Sequence, residues 1–218
     1  MPPMIPTPPG PSDDMAAGTA LMLGPEQADR RLVLLHGWGA DADDLLDLGS
    51  ALLGPEAAEV SVVALRAPLP HPGGIGRQWY DLAMPEWPQL PAARADLRER
   101  LHALARSVPL ERTVLLGFSQ GAAMAVDVAI GGELPLAGLI SCSGYPHPGW
   151  EPLRPLMPIL LTHGTQDPVV PFAASEELEQ RLKASGGSVQ RLVFSGGHGI
   201  EPGLFPAMGD FLLRAWQG

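Results

Sequence analysis

The stretch Thr113-Val114-Leu115-Leu116-Gly117-Phe118-Ser119-Gln120-Gly121-Ala122-Ala123-Met124-Ala125-Val126 changes character at a single serine. Up to Leu116 it is an apolar run of the kind found in a strand buried on both faces. Beyond Ser119 it is rich in alanine, which favours a helix. Two glycines frame the serine, so the chain is predicted to pass sharply from strand to helix with Ser119 at the apex. A side chain at either glycine would collide with neighbouring backbone. The helix N-terminus beneath the turn favours negative charge.

Outward from this turn, short apolar runs alternate with longer amphipathic ones. Strands are predicted at Arg31–Leu35, Val60–Leu65, Leu136–Ile140, Pro158–Thr162 and Val189–Phe194. Asp41 or Asp43 is placed to cap a helix carrying Leu45, Leu46, Leu48, Leu52 and Leu53 on one side. Further helices are expected over Arg94–Ser107, Gln120–Ile130, Ala173–Ala184 and Leu204–Trp216. This order implies an α/β protein with a mostly parallel central sheet flanked by helices. One domain is expected over residues 18–218, after a proline-rich lead-in at 1–17. The segment Arg66–Ala93 breaks the alternation. It holds Pro68, Pro70, Pro72, Pro85, Pro88 and Pro91 with Trp79, Tyr80, Met84 and Trp87 among them. A loop this long in a small domain is usually functional, and its aromatic content predicts an excursion packed over the sheet.

Bulk composition excludes several classes. Lysine and arginine total 14 against 24 aspartates and glutamates, a formal net charge of −10, and Lys183 is the only lysine. No basic patch is available for a phosphate backbone, so nucleic acid is not an expected partner. Cys142 stands alone and allows no intramolecular disulfide, which suits a reducing, cytoplasmic setting. It is expected to be a buried, unreactive thiol. No apolar run approaches the roughly 18 residues needed to cross a bilayer. No Cys/His cluster has metal-ligand spacing, and no metal or organic cofactor is expected.

Gly117-Phe118-Ser119-Gln120-Gly121 fits the G-x-S-x-G nucleophile elbow, and a serine hydroxyl needs a base to act as a nucleophile. In such elbows the chain order is serine, acid, histidine. His147, His163 and His198 follow Ser119. No suitable acid stands between Ser119 and His147, and His163 reads as a packing or turn residue at a strand end. His198 lies in the glycine-rich loop Ser195-Gly196-Gly197-His198-Gly199, where an imidazole can swing over the sheet edge. Asp167 lies in a loop just past a late strand, whereas Asp127 and Asp210 fall within helices. The expected constellation is therefore Ser119, Asp167 and His198. Acyl transfer also needs N–H groups aimed at a developing oxyanion. Gln120 would provide one and Trp38, in the loop after Arg31–Leu35, the other. Leu69, Trp79, Met84 and Trp87 are candidates for an apolar wall around a substrate.

These residues, together with Leu34-Leu35-His36-Gly37-Trp38-Gly39, Trp79-Tyr80-Asp81, Cys142-Ser143-Gly144-Tyr145, His163-Gly164-Thr165-Gln166-Asp167-Pro168-Val169-Val170-Pro171 and Gly197-His198, resemble the phospholipase/carboxylesterase family. That family includes bacterial carboxylesterases and acyl-protein thioesterases. The likeness runs from about residue 18 onward. It implies the α/β-hydrolase fold and hydrolysis of a small-molecule ester through Ser119, Asp167 and His198, with Trp38 and Gln120 as oxyanion donors. An acyl-protein thioesterase or lysophospholipase is the alternative within that class. A non-catalytic binding protein of the same fold is the alternative outside it.

Overall fold

In a computed structural model, which describes residues 19–131, 134–153 and 155–217, a seven-stranded sheet runs through the centre of the protein. The lead-in expected at residues 1–17 lies outside the described residues. In chain order the first elements are β1 (Ala20–Leu23), β2 (Arg31–Leu35), α1 (Leu46–Leu53), β3 (Ser61–Leu65), β4 (Leu69–Pro70), β5 (Arg77–Gln78) and α2 (Leu90–Leu104). They are followed by β6 (Thr113–Phe118), α3 (Gln120–Ala129), β7 (Gly138–Cys142), β8 (Ile159–Gly164), α4 (Ala173–Ala184), β9 (Val189–Phe194) and α5 (Phe205–Ala215).

The strand order is β1-β3-β2-β6-β7-β8-β9, and every pairing is parallel except β1 with β3. The parallel strands therefore end on one rim, where loops carry function in open α/β sheets. β6 sits at the middle, so Ser119 emerges at the centre of that rim.

Strand residues alternate between two cores because successive side chains face opposite ways. Val33, Leu35, Val63, Leu115, Leu139 and Leu161 pack with α2, α3 and α4 on one face. Leu32, Leu34, Val62, Leu116, Ile140 and Leu160 pack with α1 and α5 on the other. The two-faced burial explains the unbroken apolar runs of the central strands. Gly49 on α1 shows how closely the layers approach, since a Cβ there would stand 2.7 Å from Val62 Cγ1. One cation enters this interior: Arg31 is fully buried, its guanidinium donating to the Glu26 carbonyl at 3.0 Å, to Ser107 Oγ at 2.8 Å and to the Leu104 carbonyl. No helix among the described residues is long and apolar enough to cross a membrane.

Three local features differ from expectation. β1 is an added antiparallel strand at the edge, too short at four residues to give an alternating signal. The helix expected from Arg94 starts at Leu90, because Pro91 falls in its first turn, where proline's missing N–H is not needed. Inside the proline-rich excursion, β4 and β5 pair as a small antiparallel hairpin. Asp41 caps a 3-10 turn at Ala42–Leu45 that leads into α1, in a reciprocal box with Asp44.

Candidate active site

The elbow is set by backbone packing. Ser119 has φ 54° and ψ −119°, a left-handed conformation that a non-glycine residue holds only under constraint. The constraint is visible on both sides. A Cβ on Gly117 would stand 2.3 Å from the Gly121 carbonyl oxygen, and one on Gly121 would stand 2.2 Å from the Leu35 oxygen. Only glycine lets β2, β6 and α3 converge this closely. The Ser119 N–H donates to the Cys142 carbonyl at 2.9 Å, tying the turn to β7 as well.

Asp167 and His198 meet Ser119 from two loops at the same rim. His198 Nε2 lies 3.0 Å from Ser119 Oγ, and His198 Nδ1 lies 2.7 Å from Asp167 Oδ2. The loops carrying His198 and Asp167 are joined to one another: the Gln166 N–H donates to the Gly196 carbonyl and the Thr165 N–H to the Phe194 carbonyl, both at 2.9 Å. A Cβ on Gly164 would stand 2.3 Å from the Gly197 oxygen, so the end of β8 sits directly under the histidine loop. The imidazole also rests against the Phe118 ring, with centroids 4.9 Å apart.

The Asp167 side chain is fully buried, and burial by itself would raise its pKa. The hydrogen bond from His198 and those from the N–H groups of Val169 and Val170, at 2.8 and 2.9 Å, outweigh it and hold the carboxyl below its ordinary range. His163 lies beneath, fully buried, with Nε2 2.9 Å from the Val170 carbonyl and 3.4 Å from Asp167 Oδ2. It braces the Asp167 loop from the end of β8.

On the opposite side, Gly37 brings the loop after β2 against the elbow: a Cβ on it would stand 3.3 Å from Ser119 Cβ. His36, pushed toward its neutral form chiefly by burial, pins this loop. Its Nδ1 faces the Gly37 carbonyl at 2.8 Å, and its Nε2 accepts from the Ala67 N–H at 3.0 Å. Trp38 is held by its indole N–H, which donates to Gln78 Oε1 at 2.9 Å. Gln120 opens α3. Its side-chain amide donates to the Tyr80 carbonyl at 2.8 Å and accepts from the Trp79 N–H at 2.9 Å, clamping the excursion onto the elbow.

A cavity of about 640 Å³ opens beside Ser119 and His198. Of the four residues expected to form its apolar wall, Trp87 borders it and three do not. Trp79 is a core strut instead: it is 1% exposed and its indole N–H donates to the His36 carbonyl at 2.9 Å. The Gln120 clamp turns it inward. Leu69 belongs to the β4–β5 hairpin, and Met84 sits in the exposed turn before Trp87. Leu82, Tyr145, Val169, Val170, Pro171 and Ala174 take their place, with Trp38. The Val169-Val170-Pro171 run, adjoining Asp167, was the available signal in the sequence.

His147 also has a carboxylate partner, contrary to expectation. Its Nδ1 is 2.7 Å from Oδ2 of Asp127, a helix residue buried against it and bonded in turn to Arg94 Nε. The loop after β7 passes alongside α3, an adjacency hidden in the linear sequence.

Residues 19–215 match the phospholipase/carboxylesterase family. Acyl-protein thioesterase 1 from Eremothecium gossypii is 33% identical over 109 residues, 46% of this chain and 46% of that one. The chain thus spans about half the length of that curated relative. Esterase YpfH from Escherichia coli is 29% identical over 192 residues, covering 80% of this chain and 78% of its own. The crystal structure of esterase PE8 superposes with a TM-score of 0.82 at 29% identity, covering 90% of this chain and 98% of the other. Family match and fold agree over nearly all of the described residues, and the chain belongs to the phospholipase/carboxylesterase family of α/β-hydrolases.

Proposed function

We propose that this chain is a serine esterase that hydrolyses small carboxylic esters by two-step acyl transfer. The observation that carries the reading is the continuous hydrogen-bonded line from Asp167 through His198 to Ser119 Oγ, at 2.7 and 3.0 Å. Asp167 accepts a hydrogen bond from His198 Nδ1–H and so leaves Nε2 as the basic nitrogen facing the serine. His198 takes the Ser119 proton as Oγ attacks the ester carbonyl, and Asp167 stabilises the imidazolium that forms. The backbone N–H groups of Trp38 and Gln120 hold the oxyanion. His198 then protonates the leaving alcohol and activates the water that releases the acid. Every step uses side chains and backbone of the chain itself. The chain is read as a single domain over residues 18–218, and its lone Cys142 suits a reducing, cytoplasmic setting.

The apolar lining from Trp38, Leu82, Trp87 and Val170 favours an acyl chain over a charged group in the cleft. A thioesterase acting on acylated proteins is the second reading, favoured by the likeness to a protein of that name. A fluorophosphonate probe should label Ser119 in the wild type and nothing in Ser119→Ala, which would lose about 10⁶-fold in kcat. Comparing kcat/KM for short p-nitrophenyl esters, long acyl esters and acyl thioesters separates the two substrate classes. Absence of labelling in folded wild-type protein would favour a non-catalytic binder.

A further inference from the structure

A second line of hydrogen bonds ends at the same cleft and has no part in the acyl-transfer steps. Tyr145, half-buried, borders the cavity. Its hydroxyl lies 2.6 Å from the hydroxyl of Tyr80, which is fully buried. Tyr80 Oη lies 2.9 Å from His147 Nε2, and His147 Nδ1 lies 2.7 Å from Asp127 Oδ2. Arg94 pairs with the same carboxylate oxygen. Trp87 covers the line, its ring 5.2 Å from that of Tyr80, 6.1 Å from Tyr145 and 5.7 Å from His147. It is held there on strained backbone, with φ 60° at Glu86 and 45° at Trp87.

The direction of each bond follows from its neighbour. Asp127 is an acceptor, so His147 carries its proton on Nδ1. In the neutral imidazole with its proton on Nδ1, Nε2 presents a lone pair. Tyr80 must then donate its O–H to Nε2, which leaves its oxygen to accept from Tyr145. The Tyr145 proton is thereby committed inward. What Tyr145 can still offer the cleft that it borders is a lone pair, in a lining that also holds the apolar Leu82, Trp87, Val169 and Val170. Burial pushes the Tyr145 phenol up to about 12 and raises that of Tyr80 as well, so both keep their protons at neutral pH.

We propose that Tyr145 is a specificity-determining residue, fixed as a hydrogen-bond acceptor by the Tyr80–His147–Asp127–Arg94 chain, which selects acyl groups bearing a hydroxyl or amide N–H. This rests on the reading of the cleft as an acyl site. A hydroxylated acyl chain exchanges its bond to water for one to Tyr145, whereas an ether oxygen at the same place meets a lone pair and stays unsatisfied.

The test measures binding in a Ser119→Ala background, so that it does not depend on turnover. The ligands are methyl esters of one chain length, with a hydroxyl or a methoxy group moved in turn along the chain. At its best position the hydroxy ester should bind about fivefold tighter than its methoxy counterpart. Adding Tyr145→Phe should weaken the hydroxy ester to the methoxy level. Adding Tyr80→Phe instead frees the Tyr145 O–H to donate, and should strengthen the methoxy ester to the hydroxy level; a structural defect would not do this. Equal binding of the two esters in the parent, or a ratio untouched by Tyr145→Phe, overturns the proposal. So does a Tyr80→Phe variant that keeps the parental ratio. Fluorophosphonate labelling of the unmodified chain reports separately on Ser119, so loss of the catalytic reading and loss of this one give different results.

Discussion

Replacing Asp167, whose side chain is fully buried, by asparagine tests the proposed relay. Oδ1 accepts the N–H groups of Val169 and Val170 at 2.8 and 2.9 Å, while Oδ2 faces His198 Nδ1. The asparagine amide can be placed in two ways. With its oxygen toward Val169 and Val170, both backbone bonds survive and the NH2 group faces the imidazole. The flipped placement loses both bonds and sets donors against donors, at a cost of roughly 2–4 kcal/mol. The first placement is thus preferred by about thirtyfold or more. An NH2 group facing Nδ1 forces that nitrogen to accept, so the imidazole proton moves to Nε2, the nitrogen 3.0 Å from Ser119 Oγ. A protonated Nε2 cannot take the serine proton. The expected loss in kcat is about 10⁴-fold, or about 5 kcal/mol of barrier, with KM little changed. Steady-state hydrolysis of a short p-nitrophenyl ester measures the loss, and nitrogen-15 spectra of the histidines report the tautomer. A variant keeping more than a tenth of wild-type kcat would refute the tautomer argument. So would a Nδ1-protonated His198 in an inactive variant.

The same substitution predicts a pH effect on stability. The folded Asp167 carboxyl lies below its ordinary value, so its contribution is present above about pH 4 and is lost as pH falls through the folded value. The difference in unfolding free energy between wild type and Asp167→Asn should therefore shrink in acid titrations below about pH 4; a difference that widened there would contradict the sign. Gly121→Ala drives a Cβ to 2.2 Å from the Leu35 oxygen, and should cost about 3 kcal/mol and lower Tm by about 6–12 °C, with loss of activity. Arg94→Ala leaves the buried Asp127 carboxylate without its cation, and urea unfolding should show a loss of about 2 kcal/mol, since Arg94 itself is partly exposed. Cys142 is buried, its thiol pushed up to about 12 by burial, so a thiol reagent should react with it only after denaturation. Rapid labelling of the folded protein would show that the end of β7 opens.

Much of this architecture is legible in the sequence because its signals are local. The elbow announces itself through glycines whose necessity is steric, and the apolar runs of β2, β6 and β8 are unbroken because both faces of those strands are covered. That Ser119, Asp167 and His198 should meet could be read in the sequence because each sits in a short loop just past a strand, with a recognisable neighbourhood. What stayed hidden depends on contacts between distant segments. Asp127 looks like any helix residue until the loop carrying His147 is laid beside it. Trp79 looks like a cleft aromatic until the Gln120 amide is seen to turn its backbone inward. β4 and β5, at two residues each, are too brief for any periodicity, and β1 pairs against the direction of the rest.

The small hairpin made by β4 and β5 is fastened to the loop after β2 by main-chain groups as well as by the Gln78 bond to Trp38. Gly39 donates to the Arg77 carbonyl at 2.9 Å, and the Arg77 N–H to the Ala40 carbonyl at 2.8 Å. The Arg77 guanidinium adds bonds to the carbonyls of Ala67 and Pro68, and a Cβ on Gly76 would meet the Gly39 oxygen at 1.9 Å. Attachment of this kind is indifferent to most side chains. Apart from His71, which packs edge-on against Trp38, and Gly76, Arg77 and Gln78, the hairpin's sequence can drift or be randomised while the scaffold beneath Trp38 keeps its shape. That makes the hairpin a natural place to insert diversity when retuning the mouth of the cleft, because new chemistry there leaves the rim residues around Ser119 undisturbed.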